Sequence, residues 1–380
     1  MISQKQEFLD FAMMPGRNMS ELCRRFGISR KSGYELLNRY EQEGESAVQP
    51  RSRAPINRPN KTTSAVEALL LKTRERYPFW GPRKIRRVLI NQGHQGLPVP
   101  STIAAIFERH GLPKLSEQAS PGPWQRFEKD YPNQLWQMDF KGHVGIRSRR
   151  SHPLTIIDDY SRYCVCLQDC SDETFHTVQS QLIRSFKRYG LPDRILCDNG
   201  GPWKPGGGIG GHNQLSVWLL RLGIELSHGR PYHPQTQGKN ERFNRTLKFE
   251  LLNDLSLTTM SSLQKPFDHW RHRYNHIRPH DSLNDQTPIA CYQPSPRCMP
   301  KSLPPLQYFD SDTIRKVKSK GEITFKNQFY YIGRGFIGQL VAIRKTQTDG
   351  LLKIFFATSC LGTIDLTQNK PHKSKYIPIT

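Results

Sequence analysis

Pro231-Tyr-His-Pro-Gln-Thr-Gln-Gly-Lys-Asn-Glu-Arg-Phe-Asn-Arg-Thr-Leu-Lys248 is a loop that runs into a helix. Pro231, Pro234 and Gly238 punctuate the loop, and no proline follows until Pro266. Past the loop, Phe243, Leu247, Leu251 and Leu255 recur every four residues and form an apolar stripe. Glu241, Arg245 and Lys248 lie off that stripe, on another face of the helix. One acid thus stands near the start of a basic helical face. That suits a carboxylate holding a metal while its basic neighbours hold phosphates. An ordinary amphipathic helix with a solvated charged face gives the same pattern, so the helix alone decides nothing.

Two earlier acids change the balance. Asp139 lies in Leu-Trp-Gln-Met-Asp-Phe-Lys, where strand alternation sets Trp136, Met138 and Phe140 on one side and Leu135, Gln137 and Asp139 on the other. Asp198 lies in Arg-Ile-Leu-Cys-Asp-Asn-Gly, where a short apolar strand meets the turn Asn199-Gly200-Gly201-Pro202. Each Asp has a reason to face, or end at, an open site. Three carboxylates brought together can hold two magnesium ions, which take oxygen ligands and clamp the attacking and leaving oxygens of a phosphoryl transfer.

Asp139, then Asp198-Asn199-Gly200, then His233 to Glu241, resemble the Asp-Asp-Glu core of retroviral integrases and bacterial insertion-sequence transposases. The resemblance runs from about Asn133 to Tyr292 and takes in Ile156 to Arg162 and Tyr274 to His280. A lone Asp-Asn-Gly usually marks a plain turn; the ordered set is specific. It implies a ribonuclease-H-like fold in which Asp139, Asp198 and Glu241 are the catalytic acids and the metal ligands, with Mg2+ as cofactor and Mn2+ as its substitute. It also implies a DNA transposase that binds the terminal inverted repeats of an insertion sequence, cuts its 3′ ends and joins them to target DNA, working as a homodimer or larger assembly. Asn199, Gln237, Lys239, Arg245 and Lys248 are carried over as substrate-positioning residues. The chain departs from the family in a glycine-rich insert, Pro205-Gly-Gly-Gly-Ile-Gly-Gly211, which lengthens the spacing before Glu241. A surface loop tolerates such an insertion at little cost. The insert keeps open a second reading, a sequence-specific DNA-binding regulator whose core has lost catalysis. A third, a ribonuclease-H-type nuclease on a hybrid, is disfavoured by the helical units described next.

Lys and Arg number 56 against 33 Asp and Glu, a formal charge of +23 in 380 residues. That excess calls for a polyanionic partner, and double-stranded DNA fits it. A membrane surface is the rival, but no apolar run is long enough to span a bilayer. Met-Ile-Ser-Gln-Lys-Gln-Glu-Phe lacks the apolar region of a secretory signal, so the expectation is a bacterial cytoplasmic protein associated with the nucleoid. None of the eight cysteines forms a Cys-x-x-Cys pair. Cys164, Cys166 and Cys170 read as small buried hydrophobes rather than metal ligands.

The sequence predicts several domains. Residues 1–48 form a helix-turn-helix: Phe8, Phe11 and Ala12 on a first helix, Ser20 capping a second, Gly27 at the turn, and Ser29 capping a third that carries Tyr34, Leu36, Leu37 and Tyr40. Arg30, Lys31 and Ser32 stand at the start of that recognition helix, where base-edge contacts are made; a small bundle with a basic face is the alternative. Residues 49–63 are a basic linker whose Arg51 and Arg53 either track a phosphate backbone or are simply solvated. Residues 64–115 make a second helix-turn-helix-like unit, with Pro82 in a first turn, Ser101 capping the next helix, and Arg83 and Lys84 as candidate phosphate contacts or merely a charged face. The core, 128–292, reads as strands 135–141, 154–159, 162–168, 194–198 and 224–228 with helices 174–189, 214–222 and 236–255. This is a mixed α/β sheet flanked by helices. Asp158 and Asp159 are expected to be structural. A proline-rich linker, Pro294 to Pro305, leads to residues 306–380, read as a small all-β barrel that binds DNA or protein.

Overall fold

Short helices build the first of two units, Met1–Thr63 and Ser64–Thr380. The structure, a computed structural model, describes residues 2–50, 61–113, 128–229 and 238–367. In the first unit, α1 (Ile2–Ala12), α2 (Met19–Arg25) and α3 (Arg30–Glu43) close over Phe8, Leu9, Ala12, Cys23 and Leu37. Gly33 lets α3 cross α2, since a Cβ there would come within 2.6 Å of Cys23 Sγ. Ser29 caps α3 as expected, accepting from Ser32 N at 3.0 Å. The cap of α2 is Asn18 rather than Ser20, because Asn18 Oδ1 takes the free amides of Ser20 and Glu21. Tyr34 faces solvent, while Gly33 and Leu37 are the buried residues of α3.

The second unit opens with α4 (Ser64–Arg76), α5 (Pro82–Asn91) and α6 (Pro100–Arg109) around Leu70, Trp80, Ile85, Leu89, Ile103 and Phe107. Pro82 stands in the first turn of α5, as expected; α6 starts at Pro100 with Val99 before it, so Ser101 is inside the helix and not its cap. The central sheet runs β2 (Val144–Gly145), β3 (Arg150–Asp158), β1 (Leu135–Phe140), β5 (Arg194–Cys197), β6 (Glu225–His228), with β4 (Cys164–Cys170) also paired to β3. β1 is antiparallel to β3 and parallel to β5. β2 and the early start of β3 are additions to the predicted strands.

Alternation along the strands sorts the sheet's two faces. Trp136, Met138, Leu154, Ile156 and Val165 pack with α7 (Phe175–Tyr189) and α8 (Gln214–Arg221). Ile157, Cys164 and Leu167 pack on the other face with α9 (Gly238–Leu247) and α10 (Gln264–His276). The clustered cysteines are free and buried, and burial pushes Cys166 up to about 12 and Cys170 to about 11. They fill space, as the sequence suggests. The helix after Gly238 is shorter than predicted: beyond Leu247 it becomes one π-helical turn, Lys248–Leu252. The extra residue rotates the stripe, so Leu252 and Glu250 are buried, while Leu251 and Leu255 of the predicted stripe pack half-buried against the same cluster.

Residues 294–305 are strapped down rather than free. Arg297 donates to the carbonyls of Pro192, Leu222 and Gly223 at 3.0, 3.0 and 2.7 Å. The described part of the tail beyond is built on β-strands. β7 (Thr313–Lys316), β10 (Leu340–Lys345), β11 (Leu351–Phe356) and β12 (Ser359–Asp365) form an antiparallel sheet in the order β12-β11-β10-β7. β8 (Glu322–Phe325) and β9 (Gln328–Tyr331) make a separate hairpin, turning at Lys326 and Asn327, both with positive φ. The alternating stretch Ile323 to Ile332 thus makes two strands rather than one. Among the described residues, these ladders do not close into the expected barrel.

Candidate active site

Asp139 is the penultimate residue of β1, opposite Thr155 of β3. Asp198 follows the last residue of β5, the parallel neighbour of β1. Glu241 is exposed in the first turn of α9. Polar residues seat that helix on the sheet. Gln137, two residues before Asp139 and on its side, accepts from Asn240 N at 3.2 Å; Thr155 Oγ1 donates to Asn240 Oδ1 at 3.1 Å. One turn on, Asn244 Nδ2 donates to Asp139 Oδ2 at 3.0 Å.

The electrostatics tie the acids together. Burial pushes the Asp139 carboxyl up to about 7, and the charges of Asp198 and Glu241 add to the rise; the Phe140 amide and Asn244 only partly offset it. Like charges gathered in one half-buried place disfavour ionisation unless a cation joins them. Among the described residues, no three His, Cys, Asp or Glu side chains close around a single point. The acids stand near enough to load one another with charge yet remain open, a donor set that suits oxygen-seeking divalent ions keeping some of their water.

Asp198 is held from behind. Gly200 N donates to its Oδ1 at 3.0 Å, and Trp203 Nε1 donates to the same oxygen. Trp203 is buried and stacks on Phe140, the neighbour of Asp139, with ring centroids 5.2 Å apart. Trp203 and Asn244 are the site residues that sequence reasoning missed. The signal for Asn244 was its place one turn beyond Glu241; nothing short of the fold identifies Trp203.

Asp158 and Asp159 are structural, as expected. Asp158 accepts from Asn133 N and from both Ser161 N and Oγ at 2.6–2.8 Å. Asp159 is fully buried, accepts from Gln137 at 2.8 Å, and pairs with Lys239 Nζ. That pairing takes Lys239 away from the DNA-facing role the sequence suggested. Lys84 is likewise drawn to Asp281, at 3.2 Å, and the exposed Arg83 reaches Asp285 at 3.5 Å. Arg245 and Lys248 are exposed on α9 and the turn after it, and Arg30, Lys31 and Ser32 are exposed at the start of α3. Arg51, Arg53 and Gln237 lie outside the described residues. Lys239→Ala is expected to destabilise the second unit by about 3 kcal/mol, since it leaves Asp159 buried without its cation. Arg245→Ala and Lys248→Ala should change stability by less than about 0.5 kcal/mol. Urea denaturation of the three variants separates the structural lysine from the exposed residues.

Family models agree with this architecture. Residues 129–234 and 222–288 each match an "Integrase core domain", so the first match contains Asp139 and Asp198 and the second contains Glu241. Residues 4–56 match a "Helix-turn-helix domain" and 32–107 a "Homeodomain-like domain". The chain thus combines helix-turn-helix units with an integrase-like core. Residues 312–372 match "IS481 family transposase, C-terminal domain". Among curated relatives, the 39.2 kDa protein of insertion element IS476 from Xanthomonas euvesicatoria is 26% identical over 237 residues, covering 60% of this chain and 64% of that one. The 31.7 kDa protein of insertion element IS407 from Burkholderia multivorans is 27% identical, over 41% of this chain and 54% of that one. The chain therefore spans less than two thirds of the length of either. A Pol polyprotein of feline endogenous virus ECE1 is 32% identical over 42% of this chain and 15% of its own. The magnesium complex of the HTLV-2 integrase catalytic core matches at 20% identity and a TM-score of 0.33, over 42% of this chain and 97% of that one. The chain is a relative of bacterial insertion-sequence transposases and carries an integrase-like core.

Proposed function

We propose that the protein is a DNA transposase that cuts the 3′ ends of an insertion sequence and joins them to target DNA at a site made by Asp139, Asp198 and Glu241. The observation that carries this reading is that three acids stand at the end of β1, just past β5 and at the start of α9, near enough for the charges of Asp198 and Glu241 to add to the burial that pushes Asp139 up to about 7. Two magnesium ions held there, or manganese in their place, would activate the attacking oxygen and offset charge at the phosphodiester. Asp139 and Asp198, on neighbouring strands, form the rigid side of the site; Glu241, on a helix pinned by Gln137 and Thr155, completes it. Water attacks the phosphodiester at the element's end and frees a 3′-hydroxyl. That hydroxyl then attacks a target phosphodiester and displaces a target 3′-oxygen, so no covalent enzyme intermediate is needed. Arg245 and Lys248 are exposed cations on the same helical segment and suit the DNA backbone. Arg30, Lys31 and Ser32 suit recognition of the terminal repeat, in a bacterial cell and at its nucleoid. Both ends must be cut in step, which calls for at least a dimer.

The test uses labelled duplexes carrying the repeats that flank the gene, incubated with wild type or Glu241→Gln, with magnesium or with chelator. Metal-dependent 3′-end cutting and joining by wild type alone is expected. Tight end binding by wild type without cutting in magnesium points to the DNA-binding regulator instead.

A further inference from the structure

The glycine-rich insert is where the tail meets the core. Within it, Gly206 N donates to Gly211 O at 2.7 Å, folding the segment into a closed loop. Gly208 has φ +105, and a Cβ there would stand 2.5 Å from the carbonyl oxygen of Ile332. From the tail's side, a Cβ on Gly335 would stand 2.7 Å from the backbone of Asn213. Backbone therefore rests on backbone from both directions. Around this contact, the Phe336 ring meets His212 edge-on at 5.3 Å, and Val217 and Leu220 of α8 complete the apolar cluster of the tail.

The same segment leads back to the acids. Asn213 caps α8 and donates through Nδ2 to the carbonyl of Lys204 at 2.9 Å. Lys204 follows Trp203, whose carbonyl accepts from His228 Nε2 at 2.7 Å and whose indole N–H donates to Asp198. Among the described residues, both donors to Asp198, Gly200 N and Trp203 Nε1, take Oδ1. A carboxylate fixed through one oxygen presents the other in a set direction.

We propose that the docked tail is a brace for Asp198: through Gly335, the glycine-rich insert, Asn213 and Trp203, it fixes the direction in which this acid meets a divalent cation. Trp203 is the positioning residue and the insert is the bearing. The longer spacing before Glu241 is then a part of the machinery rather than damage to it. This rests on the reading of Asp198 as a metal-holding acid.

The test is made on the full chain with ¹⁵N-labelled indoles. The Trp203 resonance, assigned by its loss in Trp203→Phe, is expected to lie downfield of the other indoles because its N–H meets a carboxylate. In Gly335→Ala, exchange of the amides over 204–222 is expected to quicken and the Trp203 resonance to move upfield. Mn2+ affinity, read by calorimetry, should fall about 10- to 100-fold both in Gly335→Ala and in Trp203→Phe, as for other residues that orient metal ligands. Gly208→Ala makes the same break from the insert's side and serves where Gly335→Ala fails to fold. An ordinary Trp203 resonance in wild type overturns the brace. So does a Gly335→Ala protein that is loosened over 204–222 but unchanged at Trp203, and so does one with no loosening at all. Should wild type bind no Mn2+, the metal reading of the acids fails, and the indole resonance by itself still decides whether the tail holds Asp198.

Discussion

Asp139→Asn protein is expected to bind the element's end as tightly as wild type and not to cut it. The amide keeps the shape and the contact from Asn244, which can turn to meet it, but loses the charge that a divalent ion requires. The loss in cutting rate is expected to be at least about 10³-fold, because an interaction made with the reacting atoms is removed. End binding is read by gel shift and cutting by product release from the same labelled duplex. Loss of binding together with cutting would mean that Asp139 acts on the fold and not on the reaction. Retained magnesium-dependent cutting would remove Asp139 from the mechanism.

The same variant carries a pH signature that works without substrate. In the folded, metal-free protein burial, helped by the charges of Asp198 and Glu241, pushes the Asp139 carboxyl up to about 7, well above the ordinary carboxylate range. The folded state therefore binds this proton more tightly than the unfolded chain does. The favourable contribution is fully present below pH 4, fades as the pH rises through 7, and is gone above it. Metal-free wild type should thus lose stability, relative to Asp139→Asn, between pH 4 and pH 8. The variant should melt higher than wild type at pH 8, with the gap closing toward pH 4. Magnesium should reverse the order at pH 8, since only wild type gains a counter-charge. A gap that does not depend on pH would show that neither burial nor the neighbouring acids raise Asp139.

Much of the core could be read in the chain because its faces follow local period. The alternation that set Trp136 and Met138 against Gln137 and Asp139 is the division seen in the sheet, and Phe243 and Leu247 are buried as their spacing demands. The acids could be sorted too: Asp158, beside a turn, is held by Ser161 and the Asn133 amide, and Asp159 by the Lys129 amide, Gln137 and Lys239. What failed was reading the partners of charged residues. Lys239 and Lys84 look like phosphate contacts in a chain of net charge +23, yet each meets a carboxylate remote in sequence, Asp159 and Asp281. Period fell short where the backbone changed its own rule, at the π-helical turn that buries Leu252 and Glu250 beside the half-buried Leu251. The insert was legible only as a turn-rich stretch. Its meaning lies in Gly333 and Gly335, which no local pattern connects to Gly207, Gly208 or Asn213.

Arg278→Ala should cost the second unit about 3–5 kcal/mol, the range for removing one partner of a buried ion pair. The π-helical turn points Glu250 inward, where its side chain is only 5% exposed. There Glu250 Oε1 accepts from Arg278 Nε at 2.9 Å and from Trp80 Nε1 at 3.2 Å, joining three remote segments on one carboxylate oxygen. Phe79 meets Phe249 edge-on beside it, with ring centroids 4.8 Å apart, so α4–α6 is fastened to the core at this point. Without Arg278 the carboxylate keeps one neutral donor and has no cation. Arg278→Lys should recover only part of the loss, because an ammonium lacks the planar fork of the guanidinium. The pair of changes Arg278→Ala and Glu250→Leu should recover more than Arg278→Lys does, since no buried charge is then left unpaired. Urea titration followed by peptide-resolved hydrogen exchange over 64–113 reads the helical unit separately from the sheet. A cost below about 1 kcal/mol for Arg278→Ala, typical of a solvent-screened pair, would mean that α4–α6 is held by its apolar contacts and that Glu250 is a bystander.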